Sequence, residues 1–404
     1  MTAISAIPRS PGTEAFELSL RSLTLDPEFE FLLACCRDEP MAHLQRFERR
    51  LAKKLDWERL LRLASSHGVV PRVYRALAAS SGMAPARLFE ALRFHAQRNV
   101  RQCLLFTDEL FHILEHFKSR DIEALAYKGP VLAQLLYGDA TGRQFGDLDF
   151  LIRKSDVSRA RTALVELGYR PALALSSRKE RDYLASGYEY SFSSSRGRNI
   201  VELQWQVLPR FYSINFDIDA IFERSMAAKL DGRCLPTPCA EDLFLLLCVH
   251  AAKHCWTQLC LLTDLHQLAS SPSLDWNRVW QGASERGIQR IVAVNLLLAN
   301  QFLGTSIPLG IENATPGSAA FRLAQEVAGM LAAGHTYGAE SFSYFILMMR
   351  LREKWKVRVQ FLWQLTFTPS VGEWSAISLP ATLFPMYRLV RLFRLLRRFA
   401  SRHG

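Results

Sequence analysis

Two aspartates separated by one residue are the strongest chemical signal in this sequence. Asp147 and Asp149 flank Leu148 in the segment Asp147–Ile152, whose alternating pattern predicts a β-strand. Because side chains alternate along a strand, both carboxylates project to the same side. Like charges held this close favour a cation between them, and Mg²⁺ commonly binds one or two carboxylates together with substrate phosphates. The alternative is a pair of solvated aspartates on an edge strand.

Residues upstream of the aspartates could bind phosphate. Lys128-Gly129-Pro130 follows a short apolar segment and opens a predicted helix, whose first turn offers free N–H groups and a positive dipole end. Gly146 precedes the acid pair and allows close backbone approach. Arg143, in the loop before the strand, could hold a phosphate through its guanidinium. The plainer alternatives are a simple strand-to-helix turn and a surface cation in a basic protein.

A third acid lies on a later predicted strand. Glu202 alternates with Val201 and Leu203, so its carboxylate could join the two aspartates if the strands are neighbours. The alternative is a surface acid on a hairpin. Taken together, the order of glycine turn, acid pair and third acid favours phosphate and metal chemistry over three unrelated explanations.

Two histidines form a weaker signal. His250 and His254 are four residues apart on a predicted helix and therefore share a face. The zinc-protease pattern requires Glu at the second position, where this chain has Ala251, and no third ligand is obvious. Packing with hydrogen bonding is the favoured interpretation.

Several segments resemble, in the same order along the chain, bacterial nucleotidyltransferase-like proteins of the DNA polymerase β superfamily. The resemblance runs over roughly residues 25–400 and is most specific at Gly146-Asp-Leu-Asp149 and its surroundings. The matching segments are 127–133, 136–139, 143–152, 167–169, 201–205, 250–254 and 261–265.

The resemblance implies a fold and a set of roles. The implied fold is α+β, a polymerase-β-like core with a small mixed sheet between helical N- and C-terminal regions. Gly129 would lie in the turn that holds the triphosphate of an NTP. Asp147 and Asp149 would bind Mg²⁺, or Mn²⁺, and Glu202 would be the third metal-binding and catalytic acid. By the same resemblance, Lys128, Arg143 and Gly146 would belong to the nucleotide site.

Two departures from the superfamily pattern keep a second function open. Gly129-Pro130 stands where the pattern has Gly-Ser or Gly-Gly, and Gln204-Trp205 stands where many members have His-Trp. The leading hypothesis is metal-dependent transfer of a nucleoside monophosphate from an NTP to an acceptor hydroxyl, with release of pyrophosphate. The alternative is a weak or inactive relative that serves as a binding or accessory protein in a membrane-associated biosynthetic pathway. The acceptor stays open among glycan, lipid-linked, peptide, protein and RNA hydroxyls.

The elements that must position these residues divide the chain into five predicted segments. Residues 1–24 are predicted to be a flexible leader, and 25–120 a helical region with apolar residues at helical spacing. A change of period over 121–230 predicts an α/β domain. Helices return over 231–368, including one expected to run from 242 through 268, and 369–404 is a basic amphipathic tail.

Composition limits the choice of partners and compartment. Hydrophobic residues make up 49% of the chain and charged residues 22%, which excludes a mostly disordered protein. The net charge of +11 favours anionic partners, and six arginines without an acid over 386–404 supply +6 of it. That tail predicts either a helix on an anionic membrane surface or a helix docked on the protein. With no secretory signal, the predicted location is cytoplasmic, with a peripheral membrane position left open.

Overall fold

The computed structural model describes residues 25–51, 55–80, 82–173, 175, 177–194, 200–308, 317–335, 337, 341–368, 377 and 386–400. The predicted leader and much of the 369–404 tail lie outside the described residues. Two compact units are present, each built from two stretches of chain. The first contains Met1–Ala96 and Phe244–Tyr337, and the second contains Gln97–Leu243 and Gly338–Gly404. The five-segment division by sequence stays a prediction.

The second unit contains a five-stranded mixed sheet. Its strands are β1 (Ala124–Ala126), β2 (Asp147–Ile152), β3 (Tyr169–Pro171), β4 (Glu189–Ser194) and β5 (Ile200–Gln204). They lie in the order β1-β2-β5-β4-β3, in which β2 and β5 run parallel and all other neighbours run antiparallel. A separate antiparallel hairpin joins β6 (Met226–Leu230) and β7 (Arg233–Thr237). The predicted α+β class with a small mixed sheet is confirmed.

The second unit also contains helices, several of which pack against this sheet. Small residues such as Ala160 and Ala163 are fully buried in the sheet core beside Phe150 and Leu203, so a helix can approach the strands closely. The helices are α5 (Ala86–Lys118, which begins in the first unit), α6 (Gly129–Tyr137), α7 (Val157–Glu166), α8 (Ser177–Ser186), α9 (Ile218–Glu223), α15 (Phe342–Arg350), α16 (Trp355–Phe367) and α17 (Tyr387–Ala400).

In the described residues of the first unit, the regular elements are all helices, joined by turns. None of the described helices in either unit has the length and hydropathy needed to cross a bilayer. The helices of the first unit are α1 (Pro27–Cys36), α2 (Pro40–Leu51), α3 (Trp57–Ser66), α4 (Val70–Ala79), α10 (Ala240–Lys253, which begins in the second unit), α11 (Leu259–Ala269), α12 (Trp276–Arg286), α13 (Gln289–Leu303) and α14 (Ala319–Ala332).

The expectation of one helix from 242 through 268 is wrong. The helix ends at Lys253 and a new one begins at Leu259, with Cys255 and Trp256 between them at φ angles of 51° and 52°. Non-glycine residues rarely adopt this left-handed conformation, so tertiary contacts must hold it. The apolar pattern continues through the break, and periodicity alone therefore did not reveal it.

Candidate active site

The sheet brings two of the three predicted acids directly together. In the parallel pairing of β2 with β5, Asp149 is the register partner of Glu202, and Asp147 is the partner of Ile200. Asp149 is buried, while Asp147 at the start of β2 is partly exposed. Of the two aspartates on β2, Asp147 is therefore accessible to solvent and Asp149 is not.

A glycine turn lies against the same strand. Gly129 begins α6 with a φ of +59°, a conformation that disfavours every residue with a side chain. A Cβ at this position would lie 3.4 Å from the backbone oxygen of Asp147 and 3.5 Å from a methyl carbon of Leu148. These distances are ordinary van der Waals contacts, so the positive φ, and not a lack of space, is what favours glycine at this turn beside the acid-bearing strand. Pro130 occupies the first turn, where the missing N–H breaks no helical hydrogen bond.

Lys128 lies where the sequence did not place it. Its side chain is buried, and its Nζ donates to Asp149 Oδ1 at 2.9 Å, instead of standing free for a phosphate. The ammonium also lies 4.9 Å from the ring centroid of Tyr127. Burial alone would lower the pKa of this lysine, but Asp149, Tyr127 and Asp147 raise it above its ordinary value. Lys128 is therefore a fixed cation inside the acid cluster.

Gln204 joins the two paired acids, a role that the sequence did not reveal. Its Nε2 donates to Asp149 Oδ1 and to Glu202 Oε2, both at 3.0 Å. The hydroxyl of Tyr127 donates to Gln204 Oε1, which fixes the direction in which the amide points. Gln204, which stands where many members of the superfamily have His, is thus hydrogen-bonded to both acids. The sequence pointed to Tyr127 only through its position next to Lys128.

Burial and the neighbouring acids disfavour the charged forms of Asp147 and Glu202. Burial, and then the charge of Asp149, raise the pKa of Asp147 to about 6, although Lys128 and Arg143 oppose the shift. Burial, Glu189 and Asp149 raise the pKa of Glu202 to about 8. Both shifts mean that this place in the sheet favours additional positive charge.

The loop that carries Arg143 is held by α5. Asn99 Nδ2 donates to the Arg143 oxygen at 3.3 Å, and Gln102 Nε2 donates to the Phe145 oxygen at 3.3 Å. Arg143 is buried and lowers the pKa of Asp147, so its charge acts on the acid pair, and its role in phosphate binding stays a prediction. A Cβ at Gly146 would meet no atom within 4 Å, so the chain itself does not require glycine there.

The donor set suits a divalent cation bound jointly with phosphate. Asp149 Oδ2 is buried and has no hydrogen-bond partner, while Oδ1 is already bonded to Lys128 and Gln204. Hard carboxylate oxygens of this kind suit Mg²⁺ or Mn²⁺. Within the described ranges, however, no group of three His, Cys, Asp or Glu residues is arranged to hold a metal. Asp147 and Asp149 therefore fit as the protein ligands, with the remaining ligands supplied from outside the chain.

The strand that ends at Gln204 continues into the wall of a cavity. The cavity measures about 400 Å³, and its lining includes Trp205, Gln206, Lys154 and Arg210. Trp205 Nε1 is buried without a hydrogen-bond partner. The cavity belongs to the second unit, and no sequence pattern indicated it because its lining comes from distant segments.

The histidine pair contributes no recognisable metal centre. The rings of His250 and His254 lie 4.6 Å apart between centroids at an angle of 60°. Neither belongs to a metal-binding group of three such residues in the part of the chain that the structure describes. All eight cysteines are free thiols.

Comparison with known proteins gives one family and one solved structure. Residues 53–304 match the family described as "Uncharacterised nucleotidyltransferase". No curated protein sequence matches the chain at a significant level. The crystal structure of lincosamide antibiotic adenylyltransferase LnuA, lincomycin-bound, is 15% identical, and the match covers 40% of this chain and 96% of that chain with a TM-score of 0.29. That similarity is too weak to carry a conclusion about this chain.

Proposed function

The chain belongs to the uncharacterised nucleotidyltransferase family, and from this premise we propose that it transfers a nucleoside monophosphate from an NTP to an acceptor hydroxyl. In this reaction a bond forms between the acceptor oxygen and the α-phosphorus, and the bond from the α-phosphorus to the bridging oxygen breaks. Pyrophosphate leaves, and the hydroxyl proton passes to a base. The acceptor is a glycan, lipid-linked molecule, peptide, protein or RNA.

Asp149 is the observation that carries this proposal. A buried carboxylate normally has every oxygen hydrogen-bonded, because an unpaired buried charge is costly. Asp149 instead keeps Oδ2 without a partner, beside a glycine turn and a second aspartate. The unused oxygen and the raised pKa of Asp147 support a place for a cation that arrives with the substrate.

The roles of the chain's own residues follow from their places. Asp147 and Asp149 would hold Mg²⁺ or Mn²⁺, which when bound neutralises charge on the triphosphate. The free N–H groups in the first turn of α6, which begins at Gly129, would orient the phosphates. Glu202, held by Gln204, accepts the hydroxyl proton of the acceptor. Arg143 and Lys128 lower the cost of bringing anionic phosphates to the acids.

The test begins with the purified full chain and each NTP labelled at the α-phosphate, in Mg²⁺ or Mn²⁺. Candidate acceptors are screened by mass spectrometry for the added nucleoside monophosphate, and pyrophosphate release is measured in parallel. We expect transfer in the wild type, loss of transfer in Asp147→Asn, and full transfer in Asp182→Asn, which changes an exposed aspartate of α8. Equal transfer by Asp147→Asn would refute the assigned site.

A binding protein without turnover is the second candidate, and Lys128 is the observation that favours it. Its ammonium already neutralises Asp149, which is the place where a metal would otherwise be required. On this hypothesis NTP binds without Mg²⁺, and no acceptor is modified. Calorimetric titration with a non-hydrolysable NTP, with and without Mg²⁺, separates the two: the enzyme requires the cation for tight binding and the accessory protein does not.

A further inference from the structure

Helix α16 is apolar on two opposite sides. Phe361 and Leu365 face the protein interior and are buried. On the other side, Trp355, Val359 and Trp363 are 69%, 55% and 66% exposed. A helix that is apolar all round normally has apolar contacts all round, because water covers such a face only at a cost. Among the residues of the second unit that the structure describes, none covers these three side chains on the outer face of α16.

Helix α17 is docked beside α16 in a defined orientation. Arg391 is buried, its Nε donates to the Leu365 oxygen at 3.1 Å, and its guanidinium lies 5.1 Å from the Phe211 ring centroid. Tyr387 belongs to the sheet core. Of the two alternatives for the tail, docking on the protein is therefore what the structure shows for 387–400.

Docking does not cover the whole of α17. Leu389 and Phe393, four residues apart, are 59% and 66% exposed. We call the exposed sides of these two neighbouring helices the basic aromatic face. Its large side chains are Leu389 and Phe393 on α17, and Trp355, Val359 and Trp363 on α16. The five residues expose large side chains that the core does not use.

The charges on this face all have one sign. Lys354 and Lys356 are exposed at the start of α16, and Arg388 and Arg397 are exposed on α17. Neither helix contains an aspartate or a glutamate. Glu353, just before α16, is the nearest acid in sequence to the α16 lysines. The face thus combines apolar side chains with positive charge, and the two helices that form it carry no acid of their own.

We propose that the basic aromatic face binds the surface of an anionic lipid bilayer. Tryptophan, leucine and phenylalanine side chains enter the boundary between headgroups and acyl chains, and lysine and arginine pair with lipid phosphates. A second copy of the chain is a poorer occupant. In a twofold dimer the same face meets itself, which would bring the cationic rims together without acids to offset them.

The test measures binding of the full chain to vesicles by flotation. We expect binding to vesicles that contain phosphatidylglycerol, little binding to pure phosphatidylcholine, and a loss of binding in about 0.5 M salt. The double variant Trp355→Ser/Trp363→Ser should bind at least about tenfold more weakly, and Lys354→Glu/Lys356→Glu should show a similar loss. Leu105→Ser, which removes a similarly exposed side chain from α5, should bind like the wild type.

The outcomes are chosen so that each decides the proposal. Point variants are preferred to deletion of 386–404, because deletion also removes Tyr387 from the core. Fluorescence quenching by brominated lipids in the wild type provides a second readout that needs no variant, and we expect quenching. The proposal is overturned by equal binding to neutral and anionic vesicles, by absence of binding, by an acidic protein as the only partner, or by a dimer that Trp363→Ser dissociates.

Discussion

Two buried polar networks, one in each unit, differ in how completely they are satisfied. In the helical first unit, Trp256 Nε1 donates to Asn295 Oδ1 at 2.6 Å. Asn295 Nδ2 in turn donates to the oxygens of Ile291 and Cys248 at 2.8 and 3.1 Å. This network is neutral, its donors and acceptors are paired, and it holds Trp256 in its left-handed conformation.

The network in the sheet is charged and incompletely paired. Asp149 Oδ2 has no partner, and burial, followed by the neighbouring acids, raises the pKa of Asp147 and Glu202. Stability alone would favour the arrangement of the first unit, since a buried oxygen without a hydrogen-bond partner lowers the free energy of unfolding. The difference teaches that unused bonding capacity, more than burial of polar groups as such, marks the place where a ligand is expected.

The largest expected effect breaks the sheet network at its unpaired group. Asp149→Asn should lower nucleotidyl transfer by on the order of 100- to 1,000-fold, because the cation loses a charged ligand. The carboxamide keeps one oxygen for Lys128 and Gln204 but removes the countercharge of the buried Lys128 ammonium, so the melting temperature should fall as well. Transfer assays and thermal melting measure the two effects, with Asp182→Asn as the control. A stability loss as large as the loss of transfer would make the site structural.

The second prediction removes Asn295 from the fully paired network of the first unit. Asn295→Ala should lower the free energy of unfolding by about 2–4 kcal/mol, because it leaves Trp256 Nε1 and the Cys248 oxygen buried without partners. Chemical denaturation measures the change, and Asn277→Ala on the exposed side of α12 is the matched control. Transfer per folded molecule should stay unchanged. A stability close to that of the wild type would contradict the structural role of this network.

A lower pH should reduce the stability of the first unit, because this unit keeps a buried histidine neutral. Burial lowers the pKa of His67 to about 4, and its Nδ1 accepts from the Leu259 N–H at 3.4 Å. Below pH 6.5 the unfolded chain binds the proton and the folded chain does not, so stability falls as the pH drops from 6.5 towards 4. The loss reaches at most roughly 3 kcal/mol. Denaturation of His67→Gln should show a shallower pH dependence than the wild type, whereas exposed His335→Gln should not differ from it.

The smallest effect concerns the positioning of Gln204. Tyr127→Phe removes the hydroxyl that orients the amide and should lower kcat about tenfold, with little change in KM for NTP and a stability loss of about 1 kcal/mol. Steady-state kinetics separates kcat from KM. Tyr74→Phe, in a tyrosine that stacks on Phe89, should leave both parameters unchanged. An increase in KM alone would show that Tyr127 acts on nucleotide binding instead of on Gln204.

Local elements of the sheet could be predicted well from the sequence. The strand over Asp147–Ile152 agrees with β2, and the helix expected to open at Lys128-Gly129-Pro130 begins at Gly129 as α6. Both are short segments whose period is unambiguous, so local patterning determines them. The break at Cys255 and Trp256 could not be predicted in the same way, because the apolar pattern continues through it. Their N–H groups donate to the oxygens of Ala252 and Ala251, and the Trp256 side chain is held by Asn295, 39 residues later in the chain.

The sequence by itself determined which residues could do chemistry: an acid pair on one strand, a glycine where the backbone turns, a third acid, and a cationic C-terminal helix. Only the tertiary structure decided which of these meet. The strand order makes β5 the neighbour of β2, which pairs Glu202 with Asp149 and brings Gln204 to both. The tertiary structure also buries Lys128 against Asp149 and leaves Leu389 and Phe393 exposed. These contacts join residues distant in sequence, and their free energy depends on packing and desolvation that no local pattern encodes.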